Sequence, residues 1–229
     1  MPRVKVLRIS IILTLLIMAG QFIGLGGLSE ARADEPRPIL VIFPFVSEKV
    51  EDPSRGAVCP ICQGVHRSSE VPPGASSTLT MDLYAKFAEK DMFIIPPFEE
   101  VKEALSRFGQ RQFEEELASS SIQLGRSLKA DFALVGILFR YEEREGSSLG
   151  VQKPASVSFE LHLFRLRDGR RVWDANFDET QEALFDNLLQ AGAFLRGKAK
   201  WITAEDLAVS GMAGLLKKLP GVRELQEKP

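Results

Sequence analysis

The stretch from Asp131 to Glu179 constrains the fold more than any other part of the chain. Phe132 to Phe139 is an almost unbroken apolar run that gives way to alternation at Arg140, Tyr141 and Glu142. A strand reads this way when it leaves a core that buries both of its faces. From Ala155 to Leu163, Val157, Phe159, Leu161 and Leu163 share one face, while Ser156, Ser158, Glu160 and His162 share the other. That period of two belongs to a half-buried strand. Asp168-Gly169 then predicts a two-residue type I′ turn, whose central residues need positive φ. Beyond it Trp173, Ala175 and Phe177 alternate with Asp174, Asn176 and Asp178. The three strands form an antiparallel meander whose apolar face carries Trp173 and Phe177, and His162, on the polar face of its strand, is expected to be an exposed or helix-covered side chain rather than a ligand.

Elements upstream of the meander set the fold class. Ile39 to Phe45 is dense in β-branched and aromatic residues and reads as a first strand, with Pro44 near its end where no ladder bond is needed. Residues 47–77 hold Pro53, Pro60, Pro72, Pro73, Gly56, Gly64 and Gly74 with no period, which predicts a long loop. A helix capped at Ser77 or Thr78 follows, with Met81, Tyr84, Phe87 and Ala88 at helical spacing. A short strand is expected over 92–95, and a helix carrying Val101, Ala104, Leu105 and Phe108 ends at Gly109. A further helical pattern over 113–128 is interrupted around Ser119-Ser120-Ser121. Thr203 with Asp206 makes a capping box for a last helix, whose stripe runs from Leu207 to Leu219 before Pro220-Gly221. Helical crossovers early and hairpins late imply an α/β (α+β) fold: a mixed sheet of about five strands, ending in the antiparallel meander and covered by helices.

The first 33 residues address the chain. Arg3, Lys5 and Arg8 precede an apolar run, and Ala31-Arg32-Ala33 offers small residues for cleavage before Asp34. This predicts a secretory signal peptide over 1–33 and a single periplasmic domain over 34–229; an uncleaved inner-membrane anchor is the alternative. The chain of 229 residues has a net charge of −2, and loss of its basic start makes the balance more acidic. Nucleic acid is therefore excluded as an expected partner.

Chemistry concentrates at Cys59-Pro60-Ile61-Cys62. Haem attachment would need His where Gln63 stands, and a thioredoxin-like site would need a helix where Gln63-Gly64-Val65-His66 shows no helical period. A zinc site would use Cys59, Cys62 and His66, but four ligands are wanted and the other histidine, His162, belongs to a strand. The first reading is a local disulfide stapling the loop, with metal and thiol-redox readings left open. No Gly-x-Ser-x-Gly, His-Glu-x-x-His or phosphate-binding loop occurs, and Asp174, Asp178, Glu179 and Glu182 read as a solvated charged face. Neither catalysis nor a cofactor is expected.

Several segments together resemble a known domain: Val41-Ile42-Phe43-Pro44-Phe45, Phe93-Ile94-Ile95-Pro96, the lead from Leu124 to Asp131 into Leu134-Val135-Gly136, and the hairpin from Leu163 to Trp173. They are similar to the α/β domain of bacterial envelope proteins. That group includes the curli secretion subunit, the lipoprotein activators of penicillin-binding proteins, and the amino-terminal domain of the translocation protein associated with Pal. The resemblance covers roughly residues 38–219 and implies a non-catalytic accessory or interaction module of the cell envelope. The lipidated cysteine of the first two families is missing. The expected contact for an envelope protein or a membrane surface is Phe194, Leu195 and Trp201, rimmed by Arg196, Lys198 and Lys200. The alternative for that segment is plain core packing.

Overall fold

Strand pairing carries most of this architecture. A computed structural model describes residues 36–47, 56–146, 151–181 and 202–228. The expected signal segment and the Phe194–Trp201 contact lie outside the described residues. β1 (Leu40–Ile42) and β2 (Val46–Ser47) both pair in parallel with β5 (Phe132–Glu142). The break between them falls at Phe43-Pro44-Phe45, where proline cannot donate to a ladder. β5 pairs antiparallel with β8 (Ser156–Arg165), which pairs antiparallel with β9 (Arg170–Thr180). The result is the expected mixed sheet of five strands, with β8 enclosed between β5 and β9.

Two layers of side chains cover it. On one face α1 (Ala75–Ala88) and α5 (Ala204–Leu216) place Leu79, Leu83, Phe87, Leu207, Ala208 and Met212 against Leu134, Phe159, Leu161 and Leu163. On the other, α2 (Phe98–Phe108), α3 (Gln110–Glu115) and α4 (Leu117–Ser127) bring Val101, Leu105, Phe113 and Leu124 onto Val41, Val135, Ile137 and Phe164. Thr203 and Asp206 form the expected capping box. α5 lies close to β9 because Gly211 has no side chain; a Cβ there would come within 2.4 Å of the Phe177 ring.

Several local expectations are corrected. The β8–β9 loop is Leu166 to Gly169, four residues rather than two, and of these only Gly169 has positive φ. Asp168 instead accepts hydrogen bonds from Arg165, which fixes the wider turn. α1 starts at Ala75 behind Gly74 (φ 91°), ahead of Ser77 and Thr78. The helical break falls at Glu116, ahead of the serines, whose hydroxyls bond back to helix carbonyls and are tolerated. Residues 92–95 contribute a single bridge, Ile39 to Ile94, in place of a strand. α5 stops at Leu216, and a short α6 (Val222–Glu227) follows Gly221. An unforeseen ribbon, β6 (Glu145–Gly146) with β7 (Val151–Lys153), extends the link between β5 and β8. The expected loop over 47–77 contains a small hairpin, β3 (Ala57–Val58) with β4 (Val65–His66).

Candidate metal centre

The polar face of β8 holds the site. Every residue of β8 is buried, including Ser158, Glu160 and His162, so His162 is a covered side chain rather than an exposed one. The reason is position: α2 to α4 cover only part of that face, and the β3–β4 hairpin covers the rest with Ala57 and Cys59. Buried charges without partners cost several kcal/mol, so the hairpin must supply partners as well as cover.

It does so through a turn built around sulfur. The Cys59 amide donates to the Gly64 carbonyl (2.8 Å) and the Gln63 amide to the Cys59 carbonyl (3.0 Å), with Gln63 at φ 65°. Inside this turn the amides of Ile61 and Cys62 point at Cys59 Sγ (3.4 and 3.3 Å), and the Gly64 amide points at Cys62 Sγ (3.3 Å). Three backbone donors are thus aimed at two sulfurs. Both cysteines are free, which corrects the disulfide reading. Cys59 is fully buried and Cys62 half-buried.

The sulfurs meet Glu160 and His162, about a hundred residues away in sequence. Cys59 Sγ lies 3.3 Å from His162 Nε2, Cys62 Sγ 3.2 Å from Glu160 Oε2, and His162 Nε2 3.1 Å from the same carboxylate oxygen. One donor atom from each of the four residues falls within 4.8 Å of every other. A tetrahedron with Zn–S near 2.3 Å and Zn–N or Zn–O near 2.0–2.2 Å has edges of roughly 3.4–3.6 Å. Three of the separations, at 3.1–3.3 Å, lie near that edge, and every other is within 4.8 Å, so small side-chain shifts would close the set on one ion. On the far side His162 Nδ1 bonds Asp174 Oδ1 (2.8 Å), leaving the Nε2 lone pair turned toward the sulfurs and the carboxylate. Four lone-pair-bearing atoms thus converge on one point, which a cation reconciles.

Without an ion, the same side chains bond to one another, with Glu160 accepting. Burial pushes the Cys59 thiol well above its ordinary range, against the pull of the Cys62 and Ile61 amides. Burial would also raise Glu160, but bonds from His162, Cys59 and Cys62 and the neighbouring His66 hold its carboxyl at about 2. His66, stacked on Phe139 at 4.1 Å, brings Nε2 to 3.0 Å from Glu160 Oε1, close enough for an ion pair but not aligned as a hydrogen bond. It contacts the cluster through the carboxylate. Gly64 keeps the cradle open: a Cβ there would sit 3.1 Å from His66 Nε2 and 3.2 Å from Cys62 Sγ.

The sequence-predicted trio Cys59, Cys62 and His66 is thus brought together, but His66 only contacts Glu160, and the other two candidate ligands, Glu160 and His162, come from the strand thought to disqualify His162. Glu160, His162 and Asp174 were missed. The available signal was a Glu and a His two residues apart on the polar face of a strand with neighbours on both sides. The supposed solvated carboxylates also have duties: Asp174 holds His162, and Asp178 accepts from buried Arg140, whose guanidinium also donates to Ser156 Oγ and to the Arg67 carbonyl. No described helix is long and apolar enough to cross a membrane.

No family model matches the chain, and no curated protein does. Solved structures do show likeness. The PelC dodecamer of Paraburkholderia phytofirmans is 14% identical, with 84% of this chain and 89% of that one covered and a TM-score of 0.44. The LpoB C-terminal domain of Salmonella enterica is 12% identical over 66% and 89% (TM-score 0.41). The lipoprotein GNA1162 of Neisseria meningitidis is 16% identical over 71% and 99% (TM-score 0.41). At TM-scores below 0.5 the likeness carries no argument about what this chain does.

Proposed function

We propose that this chain is an exported, non-catalytic accessory module of the bacterial cell envelope, in which one zinc ion clasps the 56–69 segment onto the sheet. The ion is held by Cys59, Cys62, Glu160 and His162. The observation that carries the reading is the convergence of those four donors from a hairpin and a central strand to within 4.8 Å. Two cysteines, an imidazole and a carboxylate suit zinc better than harder cations, which prefer oxygen alone.

Four protein ligands leave no open position for a metal-bound water, so the site is structural. The thiol-redox reading is less well supported. A nucleophilic cysteine needs a lowered pKa and access, whereas Cys59 is buried with its thiol pushed up. A cavity of about 760 Å³, lined by Arg126, Lys129, Asp131, Arg165 and Arg167 among others, contains no nucleophile beside a base. Export rests on the basic, apolar and Ala-x-Ala pattern of residues 1–33. The partner is an envelope protein, with Phe194, Leu195 and Trp201 as its proposed contact.

Elemental analysis of the purified full chain tests the metal. One zinc per chain is expected, with none in a Cys59→Ser, Cys62→Ser double variant. Removal by a chelator should open residues 56–69 to proteolysis while the rest of the fold stays protected. A folded chain that takes up no stoichiometric metal overturns the reading.

A further inference from the structure

The four donors are not the whole device, because one carboxylate on the edge strand reaches the site from behind. We infer that Asp174, held by Arg171, is a positioning residue for the metal: it fixes the ring of His162 so that Nε2 faces the ion, and thereby sets the affinity of the centre. The inference rests on the metal reading above and assigns a role to two residues outside the ligand set.

The geometry begins in the sheet register. His162 and Asp174 are direct cross-strand partners on β8 and β9, so pairing alone brings the carboxylate to the back of the imidazole. Asp174 Oδ1 accepts from His162 Nδ1 at 2.8 Å, which selects the tautomer whose lone pair lies on Nε2. The same oxygen forms an ion pair with Arg171 Nε at 2.9 Å. Arg171 also donates from Nη1 to the Ile61 carbonyl at 3.2 Å, inside the Cys59–Cys62 turn. A single guanidinium therefore ties the residue that orients one ligand to the turn that carries two others. Without Asp174, the buried ring keeps its place in the core but loses the contact that fixes its rotation and tautomer.

Burial separates this role from packing. His162 is 1% exposed, while the Asp174 side chain is 48% exposed and Arg171 34%. The orienting pair sits at the solvent boundary, where substitution leaves the core untouched. Removing the outer partner of a ligating histidine weakens metal binding by about 10–100-fold.

The test measures zinc affinity by competition with a chromophoric chelator, and ligand geometry from the visible spectrum of the cobalt(II) form, for the full chain and three variants. Asp174→Asn should bind zinc about 10–100-fold more weakly, with altered cobalt bands and unchanged circular dichroism. Asp174→Glu, which keeps the charge, should recover part of the loss. Glu179→Gln, on the same strand but away from the site, should bind as the unaltered protein does. Equal affinity and spectrum for Asp174→Asn overturn the inference and leave the metal reading standing. An equal loss in Glu179→Gln also overturns it, since general charge would then be the cause. Failure of the unaltered chain to bind zinc removes both.

Discussion

The two faces of β8 are built on opposite principles. Val157, Phe159, Leu161 and Leu163 face α1 and α5, and all four are fully buried. Burial of this kind is non-directional, and any apolar neighbour of suitable volume contributes. Ser158, Glu160 and His162 face the β3–β4 hairpin and are buried almost as completely. Burial of Glu160 and His162 is tolerable only because specific atoms meet specific partners at 2.8–3.3 Å. One face holds the fold together and the other has a site to form.

Breaking the first face should have the larger effect. Phe159 is fully buried, edge-on to Phe45 at 5.9 Å and tilted against Phe177 at 5.3 Å. Phe159→Ala should lower unfolding stability by about 3–5 kcal/mol, read from chemical denaturation. Zinc bound per folded molecule should not change. A change in zinc stoichiometry would mean that the two faces are coupled.

The second face should break differently. Gly64→Ala puts a methyl 3.1–3.2 Å from His66 Nε2 and Cys62 Sγ, where donors need room to close on an ion. Zinc affinity should fall by at least about tenfold, equivalent to ~1.4 kcal/mol. Stability of the metal-free protein should stay within about 0.5 kcal/mol. Unchanged affinity would show that the cradle is looser than its donor spacing implies.

The same contrast explains what the sequence made legible. The sheet follows from short-range periods, and so do its meander, the α2 stripe and the Thr203 capping box, because packing and capping are decided by residues a few positions apart. The site was half legible. Cys59 and Cys62 are marked by their own spacing and His66 lies close by, but Glu160 and His162 become ligands only when β8 is covered by a hairpin about a hundred residues earlier. Alternation on β8 reports that the two faces differ without saying what covers the polar one. A strand paired on both sides, with helices available for both faces, has little solvent to offer Glu160 and His162. The disulfide reading failed for a related reason: the loop looked isolated in sequence, so its thiols had only each other as partners.

A directional contact open to water should matter least of all. At the end of β8, Asp168 accepts from Arg165 Nε at 3.1 Å, and its carboxyl is held down at about 2, chiefly by that bond. Arg165 itself is buried and donates from Nη1 to the carbonyls of Leu225, Gln226 and Lys228, pinning the last turn of the chain. The Asp168 side chain is 36% exposed, so solvent screens the pair. The sign follows from the depressed pKa. The unfolded carboxyl titrates near 3.9, so the stabilising increment is complete above that value and is lost as pH falls through about 2. Asp168→Asn should therefore be slightly less stable than the unaltered protein at neutral pH, by less than either face of β8 contributes. Denaturation curves taken down the pH scale should show the difference shrinking below pH 4 and closing near pH 2. A gap that persists at pH 2 would assign the contact to turn geometry, since asparagine keeps the shape of the side chain and loses only its charge.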